Sequence, residues 1–342
     1  MSRSPADPAT SSPARGRAAS PADRTRSLPS SRDFLLGLLV QVLVIRWLWP
    51  DLFAIPALQA WATVFVAVCL QALPFLVIGV LLSAAISAFV PPSFFQRALP
   101  RRPALAVPVA SLSGAVLPGC ECASVPVAGS LVRRGVAPAA ALAFLLSAPA
   151  INPVVLVATA VAFPDEPLMA VARFAASLVA AVVMGWLWTA YGRGEWLRLP
   201  SRSADHGDAG RLGTFRAAAQ HDLLHAGGFL VVGGITAATL NVVVPRAWLE
   251  QLADSPLLSV LVLAVLAVVL AICSEADAFV AASLTSFSLT SRLVFLVVGP
   301  VVDVKLIALQ SGTFGRRFAL RFAPVTFTVA VLSALGVAWV VW

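Results

Sequence analysis

Leu117-Pro118-Gly119-Cys120-Glu121-Cys122-Ala123-Ser124-Val125-Pro126 interrupts an apolar stretch that runs over residues 104–132. Pro and Gly break a helix here, and the break frees backbone groups that lipid cannot satisfy. At membrane depth such a break is tolerated only where it is buried in protein or lines a cavity. A second interruption, Cys273-Ser274-Glu275-Ala276-Asp277, sits in another apolar stretch, 256–288. Three carboxylates, Glu121, Glu275 and Asp277, stand at the two breaks, and each costs several kcal/mol to hold inside hydrocarbon. A tight kink packed by small residues is the plainer alternative, and it leaves those carboxylates unexplained.

The two interruptions belong to a repeat. Phe75-Leu76-Val77-Ile78-Gly79 returns as Phe229-Leu230-Val231-Val232-Gly233, and Val90-Pro91 returns as Val244-Pro245. Cys120, Ala123, Val127 and Ala128 return as Cys273, Ala276, Val280 and Ala281, and Pro149 and Asn152 return as Pro300 and Asp303. Each unit reads as helix, polar-centred apolar stretch, helix, helix. The organisation expected is a basic tail over 1–32, an extra transmembrane helix and loop over 33–59, a first repeat over 60–190, a linker loop over 191–221 and a second repeat over 222–342. Broken helices in matching positions of two halves are the sequence mark of a transporter and point to its binding site.

Composition agrees. Of 342 residues 59% are apolar and only 12% are charged, and the mean hydropathy is +0.91. A soluble fold of this size needs a charged exterior that these residues cannot supply. Apolar runs of 16 or more residues recur from position 34 onward, which reads as an all-α, polytopic helical membrane protein. A β-barrel would alternate over segments of about ten residues instead. The net charge of +8 suggests nucleic acid only until the arginines are placed, and nearly all of them fall in short loops. Residues 1–32 show no secretory signal, and Asp7, Asp23 and Asp33 weigh against a transit peptide. No P-loop, nucleotide fingerprint or hydrolase elbow is present, so neither an enzyme nor an ATP-driven pump is expected, and no cofactor.

Loop charge separates two topologies. If 104–132 and 256–288 each cross the membrane, Lys and Arg divide 13 inside to 8 outside. If each re-enters as a hairpin, the halves are inverted and the division becomes 19 to 2. Arg97, Arg101, Arg102, Arg133, Arg134, Arg316, Arg317 and Arg321 then share the cytoplasmic side with the tail and the linker, as the positive-inside rule requires. Arms split at Gly119 are about 22 Å long against a hydrocarbon core of about 30 Å. The run 256–272 is long enough to trouble this reading. Arg46 and Arg173 lie near helix ends and are expected to snorkel.

Thiolates are soft ligands, suited to ions from Cu(I) and Zn(II) to trivalent arsenic or antimony. Cys120 and Cys122, with one residue between them, can share one soft ion, and Cys273 would add a third sulfur if the tips meet. Cysteine as a small apolar filler is the competing reading, and Cys69 is read that way. A disulfide framework is not expected. Asn152 and Asp303 are positional equivalents, and Asp303 and Lys305, two apart on a helix, do not face each other. Each then needs a partner across the repeat interface, either as a structural ion pair or as part of a proton or ion relay with Glu275 and Asp277. His221 and His225, four apart, have metal spacing but suit a juxtamembrane polar face better.

The Cys-Glu-Cys hairpin, the Ser147-Ala148-Pro149-Ala150-Ile151-Asn152-Pro153 run and the Cys-Ser-Glu-Ala-Asp tip resemble the predicted permeases of the arsenic-efflux permease family. The resemblance covers residues 60–315. It implies a permease of a prokaryotic inner membrane that in some members exports trivalent organoarsenicals on an ion gradient, and the loop charge above puts the N-terminus in the cytoplasm. It also implies, for some members, a second membrane subunit. By similarity the candidate site is Cys120, Cys122, Asn152, Cys273, Glu275, Asp277 and Asp303. Glu121 and Lys305 join it from the residue reading. The expected partners are the lipid bilayer, a small-molecule or ion substrate, and a second subunit or further copies of the chain. A membrane thiol oxidoreductase, a metal-handling subunit of a two-component complex and a purely structural subunit are the alternatives, the first weakened by the lack of a Cys-x-x-Cys motif.

Overall fold

The computed structural model describes residues 55–91, 94, 100, 102–116, 121–197, 211–243 and 255–342. The tail over 1–32, most of the extra transmembrane segment expected over 33–59, Arg46 and Cys120 lie outside the described residues. Twelve α-helices and one 3-10 turn (Gly194–Trp196) make up the described chain, and no strand occurs among the described residues. In order they are α1 (Pro56–Phe89), α2 (Pro103–Ser113), α3 (Glu121–Arg133), α4 (Pro138–Ile151), α5 (Pro153–Ala162), α6 (Leu168–Tyr191), α7 (Arg211–Val243), α8 (Pro256–Leu270), α9 (Asp277–Ser283), α10 (Leu289–Val298), α11 (Val304–Phe314) and α12 (Arg316–Val341).

Proline sets several of these starts. Pro103, Pro138, Pro153 and Pro256 occupy the first turn of α2, α4, α5 and α8, where a missing N–H removes no helical bond. Pro153 also forces Asn152 into an extended conformation (φ −67°, ψ 155°), which ends α4. The Asn152 side chain then serves both helix ends. Its Nδ2 donates to the Ala148 carbonyl at 3.2 Å, and its Oδ1 accepts from the Val155 N–H at 3.0 Å. Asp303 does the same for α11, accepting from the Leu306 N–H. The two positions aligned in sequence thus share one structural task, and the long–short–short–short–short–long order of helices occurs over both 56–191 and 211–341.

Five segments among the described residues are long and apolar enough to cross a membrane: α1, α6, α7, α12 and the α4–α5 pair. They differ in burial. Within the most apolar stretch of each segment about a fifth to a half of the long helices is buried, against 78% for the α4–α5 pair, and α4, buried along almost its whole length, runs through the middle of the bundle. The long helices turn residues such as Val66, Leu70, Leu81 and Trp339 outward. In water those faces would be unsatisfied; against acyl chains they are at rest. This is a multi-pass membrane protein.

Both arms of each interrupted stretch pack on one and the same neighbouring helix. α2 and α3 both lie against α4, and α8 and α9 both lie against α10. A single crossing through 103–133, antiparallel to 138–162, would lay α2 beside α5 instead. The run 256–272, long enough on sequence to cross, is shortened by its own end. α8 stops at Leu270 after 15 residues, about 22 Å, because Ala271 turns left-handed (φ 47°), a conformation that an alanine adopts at a cost.

Two glycines bring the long helices against these short arms. A Cβ on Gly79 of α1 would overlap Ala123 Cα and stand 2.8 Å from the Ala123 carbonyl oxygen, two residues past Glu121. A Cβ on Gly233 of α7 would stand 2.8 Å from Lys305 Cα. Both obstacles are backbone, which cannot rotate away. Gly79→Ala should therefore destabilise the purified protein by about 3 kcal/mol. A thermal melt in detergent checks this, with exposed Gly336→Ala, whose Cβ meets nothing, as the neutral control.

Candidate functional site

The broken helices deliver charge to one place. Glu121 is the first residue of α3, Asp277 the first of α9 and Asp303 the cap of α11. Each carboxylate therefore sits at a helix N-terminus, where unpaired N–H groups and the macrodipole favour negative charge. All three are at least 97% buried. Lys305, one residue into α11, and Arg173 of α6 are buried without measurable exposure.

Two ion pairs organise the cluster. Lys305 Nζ lies 2.7 Å from Glu121 Oε1, donates to the Ala271 carbonyl at 3.3 Å and stands 3.7 Å from Asp303 Oδ2. The left-handed turn at Ala271 is what presents that carbonyl. Arg173 Nη2 lies 2.9 Å from Asp277 Oδ1 and 3.0 Å from Oδ2, and it also donates to the Ser274 carbonyl at 3.0 Å. Its Nη1 donates to Thr159 Oγ1 at 2.8 Å, and that hydroxyl donates in turn to the Val155 carbonyl. Ser274 joins the two pairs: its hydroxyl donates to Glu121 Oε2 at 3.2 Å while its carbonyl receives Arg173. The breaks in the two interrupted stretches are therefore in direct contact.

Glu275, half-buried, lies within electrostatic range of Glu121, Arg173 and Lys305. Four carboxylates thus face two cations. The three helix N-termini offset part of that excess, and a proton or a bound cation would offset the rest. Cys122 and Cys273, both buried, lie within electrostatic range of the Lys305 ammonium. Among the described residues no three His, Cys, Asp or Glu side chains are grouped as a metal site; Cys120, the third thiol of the expected set, is outside them.

The structure thus gathers Glu121, Cys122, Cys273, Glu275, Asp277, Asp303 and Lys305 around the meeting tips, and it gives Asn152 the capping task described above. Two expectations are corrected. Arg173 does not snorkel: placed at the sixth position of α6, it turns inward because Asp277 and the Ser274 carbonyl offer it acceptors there. Asp303 and Lys305 do approach each other, because Asp303 is an extended cap (φ −138°, ψ 170°) rather than a helical residue, so its side chain folds over the first turn. Lys305 nonetheless finds its closest partner, Glu121, on α3 of the other half. Thr159 was missed, and nothing in its apolar setting distinguishes it. His221 and His225 lie on α7 with ring centroids 5.6 Å apart, beside Asp222, which accepts from the Ser83 hydroxyl at 2.9 Å.

Broken helices whose N-termini meet at a buried charge cluster inside an apolar bundle define a membrane protein of transporter type. The sequence matches the ArsP_1 family, described as "Predicted permease", over residues 57–338, and the chain belongs to that family. It is 34% identical over 279 residues to the UPF0718 protein YcgR of Bacillus subtilis (strain 168), covering 80% of this chain and 94% of that protein. It is 28% identical over 279 residues, 80% of this chain and 93% of the relative, to a Streptococcus mutans protein named "Putative two-component membrane permease complex subunit". No solved structure matches the chain with significance.

Proposed function

We propose that this permease exports a soft metalloid or metal species, such as a trivalent organoarsenical, across a prokaryotic inner membrane on an ion gradient. The observation that carries this reading is the contact between the hairpin tips, Ser274 with Glu121, which sets Cys122 and Cys273 beside one buried, net-negative cluster. In this reading Cys120, Cys122 and Cys273 hold the substrate. Glu121, Glu275, Asp277 and Asp303 take up and release protons in exchange, and Lys305 and Asn152 keep the broken helix ends in place. The halves are inverted repeats with the N-terminus in the cytoplasm, and alternating access moves one half against the other around the tips.

Uptake into everted vesicles under a proton gradient tests it, with methylarsenite, arsenite, antimonite, zinc and copper(I) offered in turn. Wild type should accumulate one species, and the Cys120→Ser/Cys122→Ser/Cys273→Ser variant, present at the same level, should lose at least about tenfold of that rate, since serine oxygen is a poor ligand for a soft ion. Full transport by the variant removes the thiol site. A second reading, a metal-handling subunit that works only with another membrane subunit, is favoured by the two-component name of the Streptococcus mutans relative. Transport by the purified chain alone in proteoliposomes decides between the two.

A further inference from the structure

The C-terminal end of α6 and the first turns of α12 enclose an apolar groove of about 560 Å³. Leu187, Trp188, Trp196, Leu320, Pro324 and Val325 line it, and polar atoms contribute almost nothing to its wall. A second groove, about 320 Å³, lies on the other flank of α12 and shares Leu320 and Pro324. The polar atoms are at the rim. Arg321 lies over the Trp196 ring at 4.7 Å from its centroid, and Arg193 lies over the same ring at 5.9 Å. Arg317, one turn before Arg321 on α12, is exposed like the other two.

Arg193 and Arg321 have no ion-pair partner among the described residues. Two like charges lie over one indole ring, each gaining a cation–π contact of modest worth, and neither has an acidic partner. Nothing in the bundle calls for that arrangement. An anion at the rim would, because it would be held by two guanidinium forks at once. The rim also has the depth of a headgroup. Arg321 is the sixth residue of α12, about 7–8 Å from the helix start, and Tyr191, Trp188 and Trp196 around it are the residue types of a membrane interface.

We propose that this cleft is a binding site for an anionic phospholipid, with its phosphate on Arg193 and Arg321 and one acyl chain in the α6–α12 groove. The occupant is a lipid rather than free phosphate because Arg321 and Trp196, the ring under both cations, line the apolar groove itself, which lies between helices whose outer faces meet the bilayer. Charge complementarity selects the anionic class, and the groove selects a molecule with a chain. The proposal is independent of what the permease carries.

Native mass spectrometry of the full chain in detergent tests it, with phosphatidylglycerol and phosphatidylethanolamine of identical acyl chains added at equal concentration. Wild type should retain phosphatidylglycerol about tenfold more than phosphatidylethanolamine. Arg193→Gln/Arg321→Gln should bring the ratio close to one with an unchanged melting profile. Val325→Trp, which fills the groove and leaves the arginines in place, should lower retention of both lipids. Equal retention by wild type, an undiminished preference in the arginine double variant, or displacement of the lipid by inorganic phosphate at equal concentration would each overturn the assignment.

Discussion

Replacing Lys305 with methionine is expected to lower stability by about 3–5 kcal/mol, the range seen when one partner of a buried ion pair is removed and the other is left behind. Lys305 Nζ is the only cation within 4.0 Å of Glu121 and of Asp303 among the described residues. Without it Glu121 keeps only the Ser274 hydroxyl, and Asp303 keeps only the Leu306 N–H on one oxygen. The reverse change should be milder. In Glu121→Gln the ammonium retains Asp303 at 3.7 Å and the Ala271 carbonyl at 3.3 Å, and the cluster loses one unit of its excess negative charge. The double variant Glu121→Gln/Lys305→Met should recover only the part of the loss that comes from stranding Glu121, because a neutral pair replaces that salt bridge at little cost while Asp303 still lacks its cation. Chemical denaturation of the four proteins in one detergent reads the order directly. If Lys305→Met melts with wild type, or if Glu121→Gln proves the worse, the picture of a cluster short of positive charge is wrong.

How much of this was legible in the sequence depends on whether the signal was local. Helix breaks are local: Pro-Gly at 118–119, Asn152-Pro153 and Gly299-Pro300 announce themselves, and so do the carboxylates beside them. The equivalence of Asn152 and Asp303 was readable from spacing, and their common capping task follows from the residue types, since both offer a side-chain oxygen to a helix N-terminus. Pairings were less accessible. An arginine five residues into an apolar helix has the same sequence appearance whether it reaches the headgroups or turns inward, and only the position of Asp277 on another element decides. Asp303 and Lys305 differ from expectation for a related reason: Asp303 stands just outside the helix, where helical spacing does not govern its side chain. The end of α8 at Leu270 was hidden too. Nothing in the run up to Ile272 breaks a helix, and the left-handed turn at Ala271, whose carbonyl accepts from Lys305, has no local signal in the sequence.

Arg173→Met is expected to be as damaging as loss of Lys305, and for a second reason besides charge. Asp277 has both oxygens on this guanidinium, at 2.9 and 3.0 Å, so its removal strands a carboxylate that is 3% exposed, again at about 3–5 kcal/mol. Arg173 also spans three acceptors on separate elements: Thr159 on α5, the Ser274 carbonyl at the second hairpin tip and Asp277 on α9. Arg173→Lys keeps the charge but not the fork, so one ammonium cannot reach all three, and it should fall between wild type and Arg173→Met. The tip then gives a distinguishing test. Ser274 holds Arg173 with its carbonyl and Glu121 with its hydroxyl, so loosening one side changes how well the other is held. Arg173→Met and Glu121→Gln should therefore be non-additive by more than about 0.5 kcal/mol, the margin that separates coupled from independent sites, although they sit on separate helices, α6 and α3, and meet only through Ser274 of the other half. Additive losses would mean two separate structural ion pairs. Coupled losses would mean that the two broken segments share one polar junction at Ser274, which is the property a transporter needs if charge arriving at one half is to be felt by the other.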